Sequence, residues 1–145
     1  MPPAPKPDFA ADVVWFDAFV TNPDRTPRNT NLLEWHGRIW LIDHGASLYF
    51  HHDRGALDGR VADPFERVQQ HVLLPFAGDL AEADARARGR LSDTVFEEIV
   101  AAVPDAWLSE HYGGESPEAV RGHYLEYLAA RLECSSVFVE EAGRV

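Results

Sequence analysis

From Phe9 to Val20 the chain is apolar on nearly every side, through Val13, Val14, Trp15, Phe16, Phe19 and Val20, and only Asp12 and Asp17 interrupt it. A helix without a polar face has to be enclosed by the rest of the protein. The next eleven residues cannot continue it: residues 21–31 read Thr-Asn-Pro-Asp-Arg-Thr-Pro-Arg-Asn-Thr-Asn, and two prolines in a run of turn-forming residues enforce a loop. The remaining chain must therefore wrap around one buried helix and the loop that leaves its end. Ahead of the helix, residues 1–7 hold four prolines and the single lysine, Lys6, so residues 1–8 are expected to form an extended or disordered lead-in.

After the loop, Leu32 to Trp35 and Ile39 to Ile42 are two short apolar runs around His36-Gly37, the pattern of a β-hairpin in which Gly37 takes a positive φ. Beyond His52 the signals are helical. Asp63-Pro64-Phe65-Glu66 has the order of a helix start and opens a stripe of Phe65, Val68 and Val72. Asp79 to Arg88 is rich in alanine and charge. Ser92 opens a helix with Val95, Phe96, Ile99, Val100 and Val103 on one side, stopped by Pro104. Gly113-Gly114 is the expected hinge before a last helix that begins at Ser116-Pro117-Glu118 and carries Val120, Tyr124, Tyr127 and Leu128. The expected fold class is mainly α with a small β-hairpin, one domain over residues 9–138 with a tail at 139–145.

Charge and cysteine content narrow the classes of function. Against 13 basic residues stand 24 acidic ones, a net charge of −11, which repels phosphate backbones and anionic lipid surfaces. Neither nucleic acid nor a membrane surface is an expected partner. One cysteine, Cys134, excludes an internal disulfide and agrees with a reducing, cytoplasmic setting. No apolar run reaches the roughly 18–20 residues that span a bilayer.

The loop and the hairpin end hold the chemistry. Asp24 and Asn29 lie on the loop, and Asp43 comes at the far end of the hairpin. A hairpin brings its ends together, so Asn29 and Asp43 are expected close in space with Asp24 beside them. One carboxylate to take a proton from an attacking hydroxyl, with an amide oxygen and a second carboxylate to hold Mg²⁺, is what phosphoryl transfer requires. Asp and Asn are also the residues with which loops bond their own backbone, so the spacing alone does not decide between the two uses.

In sequence order, Asp24-Arg25-Thr26-Pro27-Arg28-Asn29 and Leu41-Ile42-Asp43-His44-Gly45 resemble the catalytic loop and metal-binding loop of the protein-kinase-like fold, and most of all those of HipA-like kinase-domain proteins. The stretches at 15–22, 48–52, 71–75 and 103–108 carry the same resemblance. It implies the C-terminal lobe of a kinase-like fold, with a catalytic loop at 22–31 and a metal loop at 42–46. It implies an ATP-dependent, Mg²⁺-requiring phosphotransferase acting on a protein or small-molecule acceptor, with serine or threonine on a protein favoured. Asp24 would be the base or hydroxyl-orienting residue, with Arg25 beside it in the Asp-Arg pattern of related kinases. Asn29 and Asp43 would be metal ligands, and Arg28 (with Thr26) a phosphate contact. The metal loop departs from the common Asp-Phe-Gly in reading Asp-His-Gly, and Asn22-Pro23 stand where His-Arg is usual.

A kinase also needs a phosphate loop on strands and a positioned lysine. No glycine-rich phosphate loop occurs, and Lys6 lies in the proline tail. The expectation is a C-lobe that is inactive alone. Its uncovered roof, around Asn22, Asp24, Asn29, Asp43 and Tyr49, would favour an N-lobe partner or a homodimer. The alternative is a non-catalytic kinase-like module that acts through a partner surface. A third reading, a metal-dependent hydrolase, would draw on Asp43, His44, His51 and His52. The simplest use of the remaining signals is structural: Trp15, Trp35, Trp40 and Trp107 in the core, acids 79–84 on a solvated helix face, His36 in a turn, and His71, His111 and His123 without partners at metal-ligand spacing.

Overall fold

A computed structural model describes residues 4–51, 54–109 and 114–144 of the chain. The described residues are mostly helical with one small antiparallel sheet, in the order α1 (Pro7–Phe19), β1 (Leu32–Trp35), β2 (Arg38–Leu41), α2 (Arg54–Gly59), two 3₁₀ turns (Glu66–Gln70 and Leu74–Phe76), α3 (Leu80–Arg90), α4 (Asp93–Ala101), α5 (Asp105–Ser109), α6 (Pro117–Glu133) and α7 (Ser135–Ala142). Among these residues no helix is long and apolar enough to cross a membrane.

α1 is the axis of the core, as its composition requires. Ala10, Ala11, Val14, Trp15 and Phe19 are all buried, in one cluster with Phe96 of α4 and Phe138 of α7. Trp15 stacks on Phe19 with ring centres 5.1 Å apart and meets Phe138 edge-on at 5.7 Å. Its indole N–H donates to Asp84 of α3 at 2.8 Å. Asp84 is thus tied to the core helix and to Arg88 at 2.9 Å, and is not part of a merely solvated face. The helix starts at Pro7, two residues earlier than its apolar stretch. Its first turn is clamped by Gly78, whose N–H donates to the Pro7 carbonyl at 3.0 Å and where a Cβ would come within 3.2 Å of the proline ring. The lead-in is therefore ordered from Pro7 onward, and Ala4, Pro5 and Lys6 help to line a cavity of about 600 Å³ beneath the hairpin.

The hairpin pairs Leu33 with Trp40 and Trp35 with Arg38, and His36 (φ 51°) and Gly37 (φ 72°) both take the left-handed conformation of a two-residue type I′ turn. Its tryptophans are not in the core. Trp35 is 59% exposed and Trp40 51%, and Leu33 and Ile42 are exposed with them; Trp107 is 69% exposed on α5. Of the four tryptophans only Trp15 is buried, because only it lies on an element enclosed on all sides.

Capping follows the sequence closely. Asp79 accepts from the N–H groups of Ala81 and Glu82, Ser92 from Val95 and Ser116 from Ala119. Ile99 departs from its expected face and is 54% exposed, whereas Phe96 and Val100 are buried. The expected helix after Asp63 does not form. The Asp63 carboxylate accepts from the Phe65 N–H at 2.7 Å in a tight turn, and Phe65 takes φ 54°. That reversal buries the phenyl ring but ends helical continuity, leaving a 3₁₀ turn that carries Val68 inward. α6 is not the last helix either. α7 runs to Ala142 and buries Phe138, Glu141 and Ala142, so residues 139–142 belong to the core element and not to a tail. The first hinge glycine lies outside the described residues; Gly114 has φ 92°.

Arg131 of α6 locks the two ends of the chain together. It is fully buried, and its guanidinium donates to the carbonyls of Ala18 (3.0 Å), Phe19 (3.4 Å), Val61 (2.9 Å) and Asp63 (2.5 Å) while lying 4.5 Å from the centre of the Phe138 ring. The first two are carbonyls at the end of α1, where a cation suits the helix; the Ala18 carbonyl also accepts the Thr21 N–H at 3.3 Å. Replacing Arg131 by methionine strands these acceptors in the interior. Urea unfolding of Arg131→Met should show a loss of about 3 kcal/mol or more. The exposed Arg67→Ala control should stay within about 0.5 kcal/mol of the parent. Equal stability of the two variants would refute this role.

Candidate functional site

The site is built on a carboxylate inside the protein. Asp17, in the last turns of α1, is fully buried. Arg25 meets it through Nε at 2.5 Å, His71 through Nε2 at 2.8 Å, and the Asn22 amide donates to it at 3.2 Å. The His71 tautomer is fixed by its other side: Nδ1 accepts from the Leu73 N–H at 3.0 Å, so Nε2 carries the proton toward Asp17. Burial by itself raises the Asp17 pKa. The hydrogen bonds from His71 and Arg25, with the charge of Arg25, outweigh it and hold the carboxyl below its ordinary 3.8.

From this carboxylate the order passes outward through hydrogen bonds. Asn22 uses its amide N–H on Asp17 and its oxygen to accept the Asp24 N–H at 3.2 Å. Arg25 donates to the Asn31 carbonyl, and that same carbonyl accepts the Ile42 N–H at 3.0 Å. The Asn31 amide returns to the Asp24 carbonyl at 3.4 Å. The Arg25 carbonyl accepts the Val72 N–H at 3.0 Å, which draws the 71–73 segment against the loop. Thr26 and Asn29 bond each other's backbone at 2.9 and 3.1 Å, closing a turn with Pro27 and Arg28 at its tip. One buried network therefore fixes the position of Asp24, the exit of the loop and the start of the residues beyond β2.

Asp24 and Asn29 come together. The Asn29 amide N–H donates to the Asp24 carboxylate at 3.1 Å, an assignment the chemistry requires since a carboxylate needs a donor. That leaves the Asn29 Oδ1 oxygen without a partner among the described residues. Asp43 follows Ile42 directly, is exposed, makes no hydrogen bond or ion pair with the described residues and has φ 52°. Thr21, Asn31, Asp43 and Leu48 all adopt left-handed backbone, at 52°, 45°, 52° and 49°, and bracket the site at its four corners in sequence. For non-glycine residues that conformation is uncommon and costs roughly 1–3 kcal/mol each. The Leu48 N–H to the Val20 carbonyl, at 2.9 Å, ties the stretch after Asp43 to the end of α1.

The expected roles of the arginines change. Arg25 is buried and fully engaged with Asp17 and Asn31, so it holds the loop and cannot touch a ligand in solvent. Arg28 is exposed, but it lines a cavity that none of Asp24, Asn29 and Asp43 lines. Asn22, expected on an open roof, is buried, whereas Tyr49 is exposed as expected and accepts a hydrogen bond from Arg60 at 2.8 Å. His36 is in its turn. His71 is the buried partner of Asp17, and His123 pairs with Glu115 at 2.9 Å. His51 bonds the Tyr124 hydroxyl at 2.8 Å and His44 packs edge-on against Phe16, while His52 and His111 lie outside the described residues.

The Asn29 side-chain oxygen and the Asp43 carboxylate are hard oxygen donors of the kind magnesium takes, and among the described residues no group of three or more His, Cys, Asp or Glu side chains is placed to hold a metal ion. Sequence reading missed Asp17, Asn31 and His71. The signal for Asp17 was present: a charge within a helix that is apolar all round needs a cation, and Arg25 is the first arginine after it. No protein-family model, curated protein or solved structure matches this chain.

Asp17 should set the acid limb of stability. Its folded pKa lies below the unfolded one, so its contribution is complete above the unfolded value near 3.8 and is lost as pH falls through the folded value. Asp17→Asn leaves Arg25 buried without a counter-charge and should cost about 3–5 kcal/mol at neutral pH. Urea unfolding between pH 7 and pH 3 should show a shallower acid decline in the variant. An unchanged acid slope would overturn the assignment.

Proposed function

We propose that this chain is the catalytic half of a HipA-like ATP-dependent phosphotransferase, a kinase-like C-lobe that acts on serine or threonine of an acceptor protein. What carries the reading is the Asp24–Asn29 pair, held on a loop whose position is fixed from within by Asp17 and whose far end is bonded to the residue before Asp43. Asp24, with one oxygen bonded to the Asn29 amide, keeps the other to orient an acceptor hydroxyl and take its proton. Asn29 Oδ1 and Asp43 would hold Mg²⁺, which supplies charge neutralisation for a triphosphate approaching a protein of net charge −11. Arg25 acts through Asp17 and Asn31 as a positioning residue.

The hairpin supports the same reading. Its uncovered residues Leu33, Trp35, Trp40 and Ile42 stand beside the site, where a nucleotide-binding lobe or a second copy of the chain would pack. On this reading the chain alone transfers phosphate at no useful rate, and ATP, an acceptor and a covering lobe are its partners in the cytoplasm.

Titration of the purified chain with Mg-ATP, monitored by the fluorescence of Trp35 and Trp40, tests the metal ligands. Asp43→Ala should weaken magnesium-dependent binding by about tenfold or more, and Asn29→Ala similarly. Asp24→Asn should leave that binding intact and abolish transfer once a nucleotide lobe is supplied. Equal binding with and without magnesium, or Asp43-dependent turnover by the chain alone, would each sink part of this reading: the first the metal site, the second the need for another lobe.

A further inference from the structure

Beneath the tip of the 26–29 turn lies a cavity of about 890 Å³, within the size range of ligand sites. Its walls come from the loop (Thr26, Arg28), the 3₁₀ turns (Gln70, Leu74, Pro75) and the end of α7 (Ala142). No Asp or Glu lines it, although 24 of the 145 residues are acidic. Arg28 is its one full cation and makes no hydrogen bond or ion pair with the described residues, and the Gln70 amide likewise has no partner among them. His71 also reaches the wall, but its ring is committed to Asp17 and the Leu73 N–H. Glu141, next to Ala142 in sequence, is buried and paired with Arg144 at 2.7 Å. The cavity therefore presents one guanidinium and no acidic lining residue on a strongly acidic protein, with the Glu141 carboxylate 3.4 Å from the wall residue Gln69 and apolar walls at Leu74 and Pro75.

We infer that this cavity seats an acidic segment of the acceptor protein, with a carboxylate on Arg28, main-chain groups on Gln70 and an apolar side chain against Leu74 and Pro75. The inference rests on the phosphotransferase reading for the chemistry that comes after docking, and the geometry connects the two. Arg28 and Asn29 are adjacent in a turn closed by the Thr26–Asn29 backbone bonds, and the Asn29 amide lies 3.1 Å from the Asp24 carboxylate. Arg28 and the Asp24–Asn29 pair therefore stand on one turn, so the anchor and the base are carried by the same loop. Arg28 selects the acceptor and does not serve the nucleotide phosphates. A protein of opposite overall charge would be attracted everywhere. Here attraction is confined to one cavity, which gives register as well as affinity.

The test uses three serine peptides of one length and apolar pattern, in which the flanking residues are glutamate, glutamine or lysine. Binding to the purified chain is measured by backbone-amide NMR without nucleotide. The glutamate peptide should bind about fivefold more tightly than the glutamine one, as expected of a part-exposed ion pair with hydrogen bonds. Its shifts should fall at Thr26, Arg28, Gln70 and Ala142, and not at Trp35 or Trp40. Arg28→Gln should remove the preference, and Arg28→Glu should transfer it to the lysine peptide. Because Arg28 is exposed and makes no bond with the described residues, neither variant should lose stability, and thermal unfolding checks this. Shifts confined to the hairpin, or a preference unchanged in Arg28→Glu, would overturn the inference. Acidic-peptide binding in a chain that fails to bind Mg-ATP would leave the cavity standing and remove the phosphotransferase reading. Mg-ATP binding without charge preference at the cavity would do the reverse.

Discussion

A carboxylate without access to water governs how this molecule is put together. Asp17 sits in a helix whose other neighbours are alanine, valine and aromatic rings, so its charge has to be met by protein groups alone. Two segments meet it on the helix that carries it, the loop with Arg25 and Asn22 and the segment with His71, so three elements are joined. Such a group adds little net stability compared with a well-packed apolar one. What it gives is definition, because only one arrangement of the three elements satisfies it. The loop that carries Asp24 and Asn29 has few apolar side chains of its own, and its shape is dictated from underneath.

The surface is organised by the same division. The inner side of the protein is closed by Arg131, which serves the carbonyls at the end of α1 as Arg25 serves Asp17. The outer side carries an unusual amount of uncovered aromatic area on a two-stranded hairpin. A hairpin of this size is marginal without packing on one face, and here Leu32 and Leu41 pack against the core cluster while Trp35 and Trp40 are left bare. Exposed tryptophans on a small sheet next to a polar loop are features of a surface that meets another surface.

Much of the architecture could be read from the sequence because it rests on local rules. The enclosed helix, the proline-broken loop, the X-Gly hairpin and the serine and aspartate caps each depend on a few neighbouring residues. The failures are equally physical. Asp63-Pro64-Phe65-Glu66 has every mark of a helix start, yet the Asp63 side chain bonds Phe65 locally and the chain beyond is drawn across the loop by Val72 and His71. Tertiary bonds to residues far off in sequence, 54 positions for the pair His71–Asp17, outweighed a local preference. Size and hydrophobicity favour burial of tryptophan, but a two-stranded hairpin has no second layer to bury Trp35 and Trp40. At the site, the meeting of Asp24 and Asn29 follows from their places on one loop. The separate fates of Arg25 and Arg28, one inward and one into the neighbouring cavity, depend on side-chain direction, which spacing in a loop does not determine.

The lock made by Arg131 also bears on the order in which the molecule can assemble. Its bonds to Ala18 and Phe19 join residues 113 and 112 positions apart. During synthesis from the N-terminus, the most apolar helix of the chain emerges well before its closing partner. Until α6 and α7 have left the ribosome, α1 has no complete interior to enter and Asp17 has only its nearer partners. Folding of this chain is thus a late, long-range event, slow by the measure of contact separation, with a sticky helix waiting in the open for its lid.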